Sequence, residues 1–531
     1  MLDVRHPTPL SSEDALWLYL EREGQPLNIA ATCTFEGIIP LDSCTRYIES
    51  KLPQIPRYLQ RLIPPPFDLG PPTWQYDPHF NIRNHVREVA LQRGTEAEFK
   101  KVAGQIIGSN MDLNRPLWDL TLIRGLKGDC TGLIIRIHHC LADGASGVAL
   151  TKTLLEPSPI NPRLSKHKVR FEAPPLQRKS LLEGLLDSCF TVAERSVNLQ
   201  SQLLEMAQGA IADVRLPLSG SRSNNDSGLN LASAAIPAEI ISQIATPPYR
   251  LPFNVVCKGP QVYNWAEIPL DQIKAVKNSC DATVNDVVLT LISDVIRRYS
   301  ELHGHDLTGR FLHIIVPVNL RSNGDADTIG NHVGLLPLSV PLDIRDPLEL
   351  LFAVRKAVAV SRKARLTEVI GVVGMLVETV PTPLQANLLP VFSGLPLPLA
   401  NTAITNVPGP QLPLYLLGHK MLSCYPYIPI GGEMGLNSAV MSYNGVVYFA
   451  FCGDASAVPD VSLLDKLLAT SFAELCKGAG FAARVNKREP ILSPPRGTGP
   501  TRHADTRTRT SSRRASAESA RSSPLPRDLM A

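Results

Sequence analysis

The chain has 531 residues, 44% hydrophobic and 19% charged, which is enough for two sizeable cores and ordinary for a globular protein. The formal charge of +4 is unevenly spread, because from Arg484 onward ten Arg and one Lys face four acidic residues. The tail therefore carries +7 and the body −3, and so mildly acidic a body argues against nucleic acid as substrate, since phosphate binding needs a concentrated basic face. Ten cysteines stand without a CxxC pair or zinc-like spacing, so free thiols are expected, with neither a disulfide framework nor a structural metal. Residues 1–17 are broken by Asp3, His6, Pro7, Pro9, Glu13 and Asp14 and show no basic-plus-apolar leader, which predicts a cytosolic protein. The longest apolar stretch, residues 369–377, is too short to span a bilayer.

In chain order, the strand-like run 30–35, the helical stretch 96–108 and the β-branched run 133–137 give the first portion, residues 1–155, a mixed α/β pattern. Residues 156–250 differ. After a Pro-rich start, Leu182, Leu186, Cys189, Leu199 and neighbours place one apolar stripe on a helix over 180–214, and a polar loop, 219–228, follows. This reads as a crossover with a flexible insert. Residues 251–483 resume with the segment 272–277 and return to α/β alternation, with a helix expected over 285–299 and strands over 311–317 and 446–451. The apolar residues 388–399 read as core or dimer packing, with a lipid surface or acyl chain as the alternative. The tail, 484–531, is rich in Pro, Ser, Thr and Arg and is expected to be disordered.

The run 133–137 ends in His138-His139-Cys140-Leu141-Ala142-Asp143-Gly144. Side chains alternate along a strand, so His138 and His139 point to opposite faces and cannot easily share a metal ion. One faces a site and the other faces packing. An imidazole with an ordinary pKa of about 6.5 can take a proton from a hydroxyl or thiol and return it, which suits a general base. Asp143 could cap the following helix or pair with an arginine, and Gly144 lets the chain turn sharply. The plain alternative is a pair of hydrogen-bonded core histidines before an Asp-Gly turn. Cys140 reads as packing, because nothing at a suitable spacing marks it as a nucleophile. No Gly-x-Ser-x-Gly elbow, phosphate loop or dinucleotide fingerprint is present.

The doublet and its Asp-Gly resemble the active-site signature of the bacterial-type wax ester synthase/diacylglycerol acyltransferase family, relatives of chloramphenicol acetyltransferase and of peptide-synthetase condensation domains. Further matches follow in family order over about residues 8–480. They include Leu10-Ser11-Ser12-Glu13-Asp14, Arg57-Tyr58-Leu59-Gln60-Arg61-Leu62, Pro116-Leu117-Trp118, Asn285-Asp286-Val287-Val288-Leu289, Pro317-Val318-Asn319-Leu320-Arg321 and Asn406-Val407-Pro408-Gly409. One departure is Gln261-Val262-Tyr263, where many relatives carry a basic pair.

The resemblance implies two chloramphenicol-acetyltransferase-like subdomains joined by the crossover, with the active site in the channel between them. It implies acyl transfer from acyl-CoA, a substrate rather than a cofactor, to diacylglycerol or a long-chain alcohol. His139 would be the base, with His138, Asp143 and Gly144 as motif support. Asn285 and Asp286 read as structural, Asp286 being a candidate network partner, and Arg321 is the first arginine to test as the ionic partner of Asp143. Transfer to a polyketide-like or peptide-like metabolite and a non-catalytic lipid-binding relative are the other readings. Contact with a membrane or lipid-inclusion surface is compatible with each.

Overall fold

The computed structural model describes residues 8–64, 72–141, 153–159, 248–319, 333–363 and 400–483. All of them lie within the unit Met1–Ser493. The expected crossover helix, the polar loop, both long apolar stretches and the tail fall outside the described residues, as do Asp143, Gly144 and Arg321.

The first sheet is built around β7 (Cys130–His138), all nine residues of which are buried. A β-branched run of this kind suits a central strand covered on both faces. Antiparallel β2 (Asn28–Glu36) and β6 (Trp118–Leu126) flank it, and β5 (Val86–Ala90) pairs parallel with β6. Helix α2 (Leu41–Lys51) follows β2 in the chain. Helix α3 (Glu96–Ile107) covers one face of the sheet, started by a Thr95 hydroxyl that accepts the Glu98 amide. Gly132 makes that approach possible, because a Cβ there would meet Ile123 Cβ at 2.9 Å and the Phe99 ring at 3.0 Å. Gly132→Ala is expected to cost about 1–3 kcal/mol through overpacking, read as a fall in Tm.

The second sheet runs β10-β9-β11-β14-β15-β8. Its strands are β8 (Gln261–Pro269), β9 (Phe311–Asn319), β10 (Val333–Pro341), β11 (Thr402–Pro408), β14 (Leu436–Tyr443) and β15 (Val446–Asp454). Helices α4 (Leu270–Ser279), α5 (Val284–Leu302), α6 (Pro347–Lys363) and α7 (Leu464–Gly478) belong to the same portion of the chain, and α5 is buried over most of its length. The strands and helices expected at 30–35, 96–108, 133–137, 285–299, 311–317 and 446–451 all form, and the segment 272–277 lies in α4.

Residues 251–483, expected as the second subdomain, also supply two strands to the first sheet. β12 (Tyr415–Leu416) and β13 (His419–Tyr427) continue it past β2, in the order β12-β13-β2-β7-β6-β5. Without them β2 would be an open edge. In this pairing Cys424 stands opposite Cys33, and the two sulfurs lie 3.2 Å apart in the core. Tyrosines tie the exchanged strand to the second sheet: the Tyr263 hydroxyl donates to Tyr425 O and Pro426 O, and the Tyr448 hydroxyl donates to Leu422 O. Gln261, at the departure from the family pattern, is turned into this seam and accepts the Tyr427 hydroxyl.

Candidate active site

The register that pairs β2 with β7 sets Asn28 opposite His138, and the ladder continues one step further, where the His139 amide donates to Leu27 O at 2.8 Å. The His138 amide donates to Leu117 O at 3.0 Å on the other side. The backbone of the doublet is thus held by both neighbouring segments, and its two side chains have different surroundings. His138 is fully buried, while His139 is half-buried.

Both ring nitrogens of His138 are hydrogen-bonded. Nε2 lies 3.1 Å from Glu21 Oε2, and Nδ1 accepts the Cys140 amide at 3.1 Å. The same Glu21 oxygen accepts the Leu27 amide at 2.9 Å. Burial, the largest influence on the His138 ring, disfavours its charged form. The Cys140 amide hydrogen is aimed at Nδ1 and leaves no room for a second ring proton there. The geometry decides for the neutral tautomer with hydrogen on Nε2, which fits both contacts. Its acceptor is a carboxylate: burial would raise Glu21, and the His138 and Leu27 donors outweigh burial and hold it below its usual range.

His139 is backed by an aromatic face. Trp17, on α1 (Ser12–Leu20), stacks on the imidazole with centroids 3.7 Å apart and planes 13° from parallel. The helix is fixed at its start by Ser11, whose hydroxyl accepts the Asp14 amide at 3.1 Å. A small antiparallel sheet of β1 (Thr8–Pro9), β4 (Thr73–Tyr76) and β3 (Gln60–Ile63) is drawn from the segments before and after this helix.

The Pro116-Leu117-Trp118 element supports the doublet from the neighbouring strand. Leu117 supplies the carbonyl for His138, the Trp118 indole donates to Tyr58 O at 2.8 Å, and its ring stacks on His85 at 4.6 Å. Cys140 is buried, as packing requires.

Asn285 and Asp286 lie in the first turn of α5. Asp286 closes a capping box with Thr283: its Oδ2 accepts the Thr283 amide at 2.8 Å and hydroxyl at 2.7 Å, and Thr283 Oγ1 accepts the Asp286 amide. Asn285 Oδ1 accepts Asn406 Nδ2 at 3.3 Å, which joins the helix start to β11. The structure thus groups the histidines with Glu21 and Trp17 on the first sheet, and Asn285 and Asp286 with Thr283 and Asn406 on the second. Trp17 and Glu21 are not among the residues that the sequence motifs single out. No local signal marks them, because their partners lie more than a hundred residues away in the chain.

Two mixed sheets, the first completed by strands from the later part of the chain, with a histidine doublet leaving its buried central strand, define the chloramphenicol-acetyltransferase-like fold. The first condensation domain of the CDA synthetase shares it, with a TM-score of 0.51 at 14% identity over 90% of this chain and 98% of that one. The wax ester synthase/diacylglycerol acyltransferase from Marinobacter aquaeolei VT8 aligns with a TM-score of 0.60 at 23% identity, covering 89% of this chain and all of that one.

Residues 10–288 match the model of the wax ester synthase/diacylglycerol acyltransferase catalytic domain, and residues 329–476 match that of the family's C-terminal domain. The chain belongs to this family. A probable diacylglycerol O-acyltransferase of Mycobacterium tuberculosis is 28% identical over 478 residues, 88% of this chain and 95% of that protein. A second so named from the same organism is 26% identical over 490 residues, 88% of this chain and 98% of that one.

Proposed function

We propose that this chain is an acyl-CoA-dependent O-acyltransferase that moves a long-chain acyl group to a lipid hydroxyl, with diacylglycerol as the favoured acceptor and a long-chain alcohol as the second. The observation that carries the reading is the asymmetry of the doublet. His138 is buried with both ring nitrogens bonded within the fold, whereas His139 is half-buried at the strand end. Family membership and the names of the mycobacterial relatives support the acyl chemistry and favour diacylglycerol.

In this mechanism His139 takes the proton of the acceptor hydroxyl as its oxygen attacks the thioester carbonyl of acyl-CoA. The tetrahedral oxyanion then collapses, the C–S bond breaks, and the leaving CoA sulfur receives the proton from the imidazolium. Ester and free CoA result with atoms balanced, and no covalent enzyme intermediate is needed. Base assistance of this kind contributes about 10²–10⁴-fold in rate. Acyl-CoA is consumed as a substrate, so no resident cofactor is required. Among the described residues no helix is long and apolar enough to cross a membrane. The acceptor would be drawn from a lipid surface by peripheral contact.

Purified protein given labelled palmitoyl-CoA with dioleoylglycerol or with hexadecanol tests this. Labelled triacylglycerol is expected to exceed labelled wax ester. Absence of ester from both acceptors would overturn the assignment and favour a lipid-binding relative.

A further inference from the structure

We propose that helix α1 and the residue that ends it position the base of this reaction, Trp17 by backing the His139 ring and Glu21 by anchoring the backbone of residues 138–140. The inference rests on the reading of His139 as that base.

Trp17 lies on α1 and Glu21 is the residue that ends it, in extended backbone, and both side chains reach the end of β7. Each then meets a different histidine. Trp17 lies flat on His139 at 3.7 Å, and a ring so covered cannot swing about its Cβ–Cγ bond without lifting off the indole. Glu21 fixes what carries that ring. Its Oε2 accepts from both His138 and the Leu27 amide, while Leu27 O accepts the His139 amide, so the bonds close a circuit from Glu21 through His138 and His139 to Leu27 and back. The fourth tie, from the Cys140 amide to His138 Nδ1, fixes the next residue.

These bonds act where water does not compete, because the His138 side chain is 0% and the Glu21 side chain 8% exposed. A packing role alone would be met by any apolar residue at 17 and any hydrogen-bonding residue at 21. The flat stack and the doubly used carboxylate oxygen instead constrain an imidazole's direction. Proton transfer depends on that direction, since a displacement of about 1 Å can cost on the order of 100-fold.

The test compares Trp17→Phe, which keeps a flat face, with Trp17→Leu, which keeps only bulk. Measured for each are kcat, KM for palmitoyl-CoA, Tm, and the rate at which diethylpyrocarbonate modifies His139, followed by peptide mass mapping. Trp17→Phe is expected within about 3-fold of the parent kcat and Trp17→Leu about tenfold below it. KM should move by less than about 2-fold in both, and His139 should react faster in Trp17→Leu. Equal kcat and equal modification rates in the two variants would overturn the role of Trp17. Trp17→Met carries the same comparison if Trp17→Leu does not fold.

Glu21→Gln, which retains an acceptor oxygen, is expected to keep at least about a third of kcat, and Glu21→Ala to lose about tenfold. A fully active Glu21→Ala would remove Glu21 from the argument. Should the parent protein form no ester, the function reading fails by itself. The modification rates of His139 still decide whether Trp17 holds the ring.

Discussion

Replacing His139 by alanine is expected to lower ester formation from palmitoyl-CoA by about 10²–10⁴-fold, with a fall in Tm limited to the lost stack on Trp17. Both halves follow from the geometry. The amide of this residue donates to Leu27 O, a bond that alanine retains, and its ring is only half-buried. The neighbouring position should behave the other way. His138→Ala removes the donor from a nearly enclosed Glu21 carboxylate and the acceptor from the Cys140 amide. Each buried group left unmatched costs about 1–3 kcal/mol, so a clear fall in Tm is expected there. Initial rates and thermal melts on the two variants separate a chemical from a structural histidine. If His139→Ala keeps activity within about 3-fold of the parent, the base lies elsewhere.

The elements most legible in the sequence are those whose burial is extreme. β7 and β15 are buried at every position and read as largely apolar runs, and α5 presents a long face of Val, Leu and Ile. What the sequence conceals is partnership. Nothing local in residues 419–427 says that this segment pairs with β2, nearly four hundred residues earlier, rather than with the strands around it. Pairing is decided by which open edge the folded halves present, and β2 presents one. A cut at residue 251 therefore separates the chain into portions that the first sheet joins again.

The site divides along the same line. The histidine doublet is legible because strand alternation by itself assigns the two rings to different environments. Thr283 and Asp286 carry a capping-box spacing, so the structural reading of Asp286 is also accessible. Glu21 and Trp17 are not, since their chemistry arises only when α1 is laid against a strand end more than a hundred residues away. A tryptophan on a nine-residue apolar helix reads as core until the ring it covers is known.

The largest stability effect is expected at Arg136, two residues before His138 on the same face of β7. Its guanidinium forks onto Asp119, directly across the β6–β7 ladder, with Nε at 2.9 Å from Oδ1 and a terminal nitrogen at 2.5 Å from Oδ2. The other terminal nitrogen donates to Ile106 O, to Ser109 O and to Ser109 Oγ, so one cation also satisfies carbonyls at the end of α3. Arg136→Met would remove all of these bonds at once. Among the described residues Asp119 would keep only Arg87 as an ionic partner, whose side chain is 52% exposed against 4% for Arg136. Breaking one side of a buried pair costs about 3–5 kcal/mol, read as a lower urea midpoint at unchanged m-value. Arg136→Met combined with Asp119→Leu should recover part of that loss, because the penalty arises from the stranded carboxylate rather than from the absence of the pair. In both variants Ile106 O would keep the Ser109 amide and hydroxyl and Ser109 O the Asn28 side-chain amide, so recovery that is complete would show that α3 needs no cation at its end.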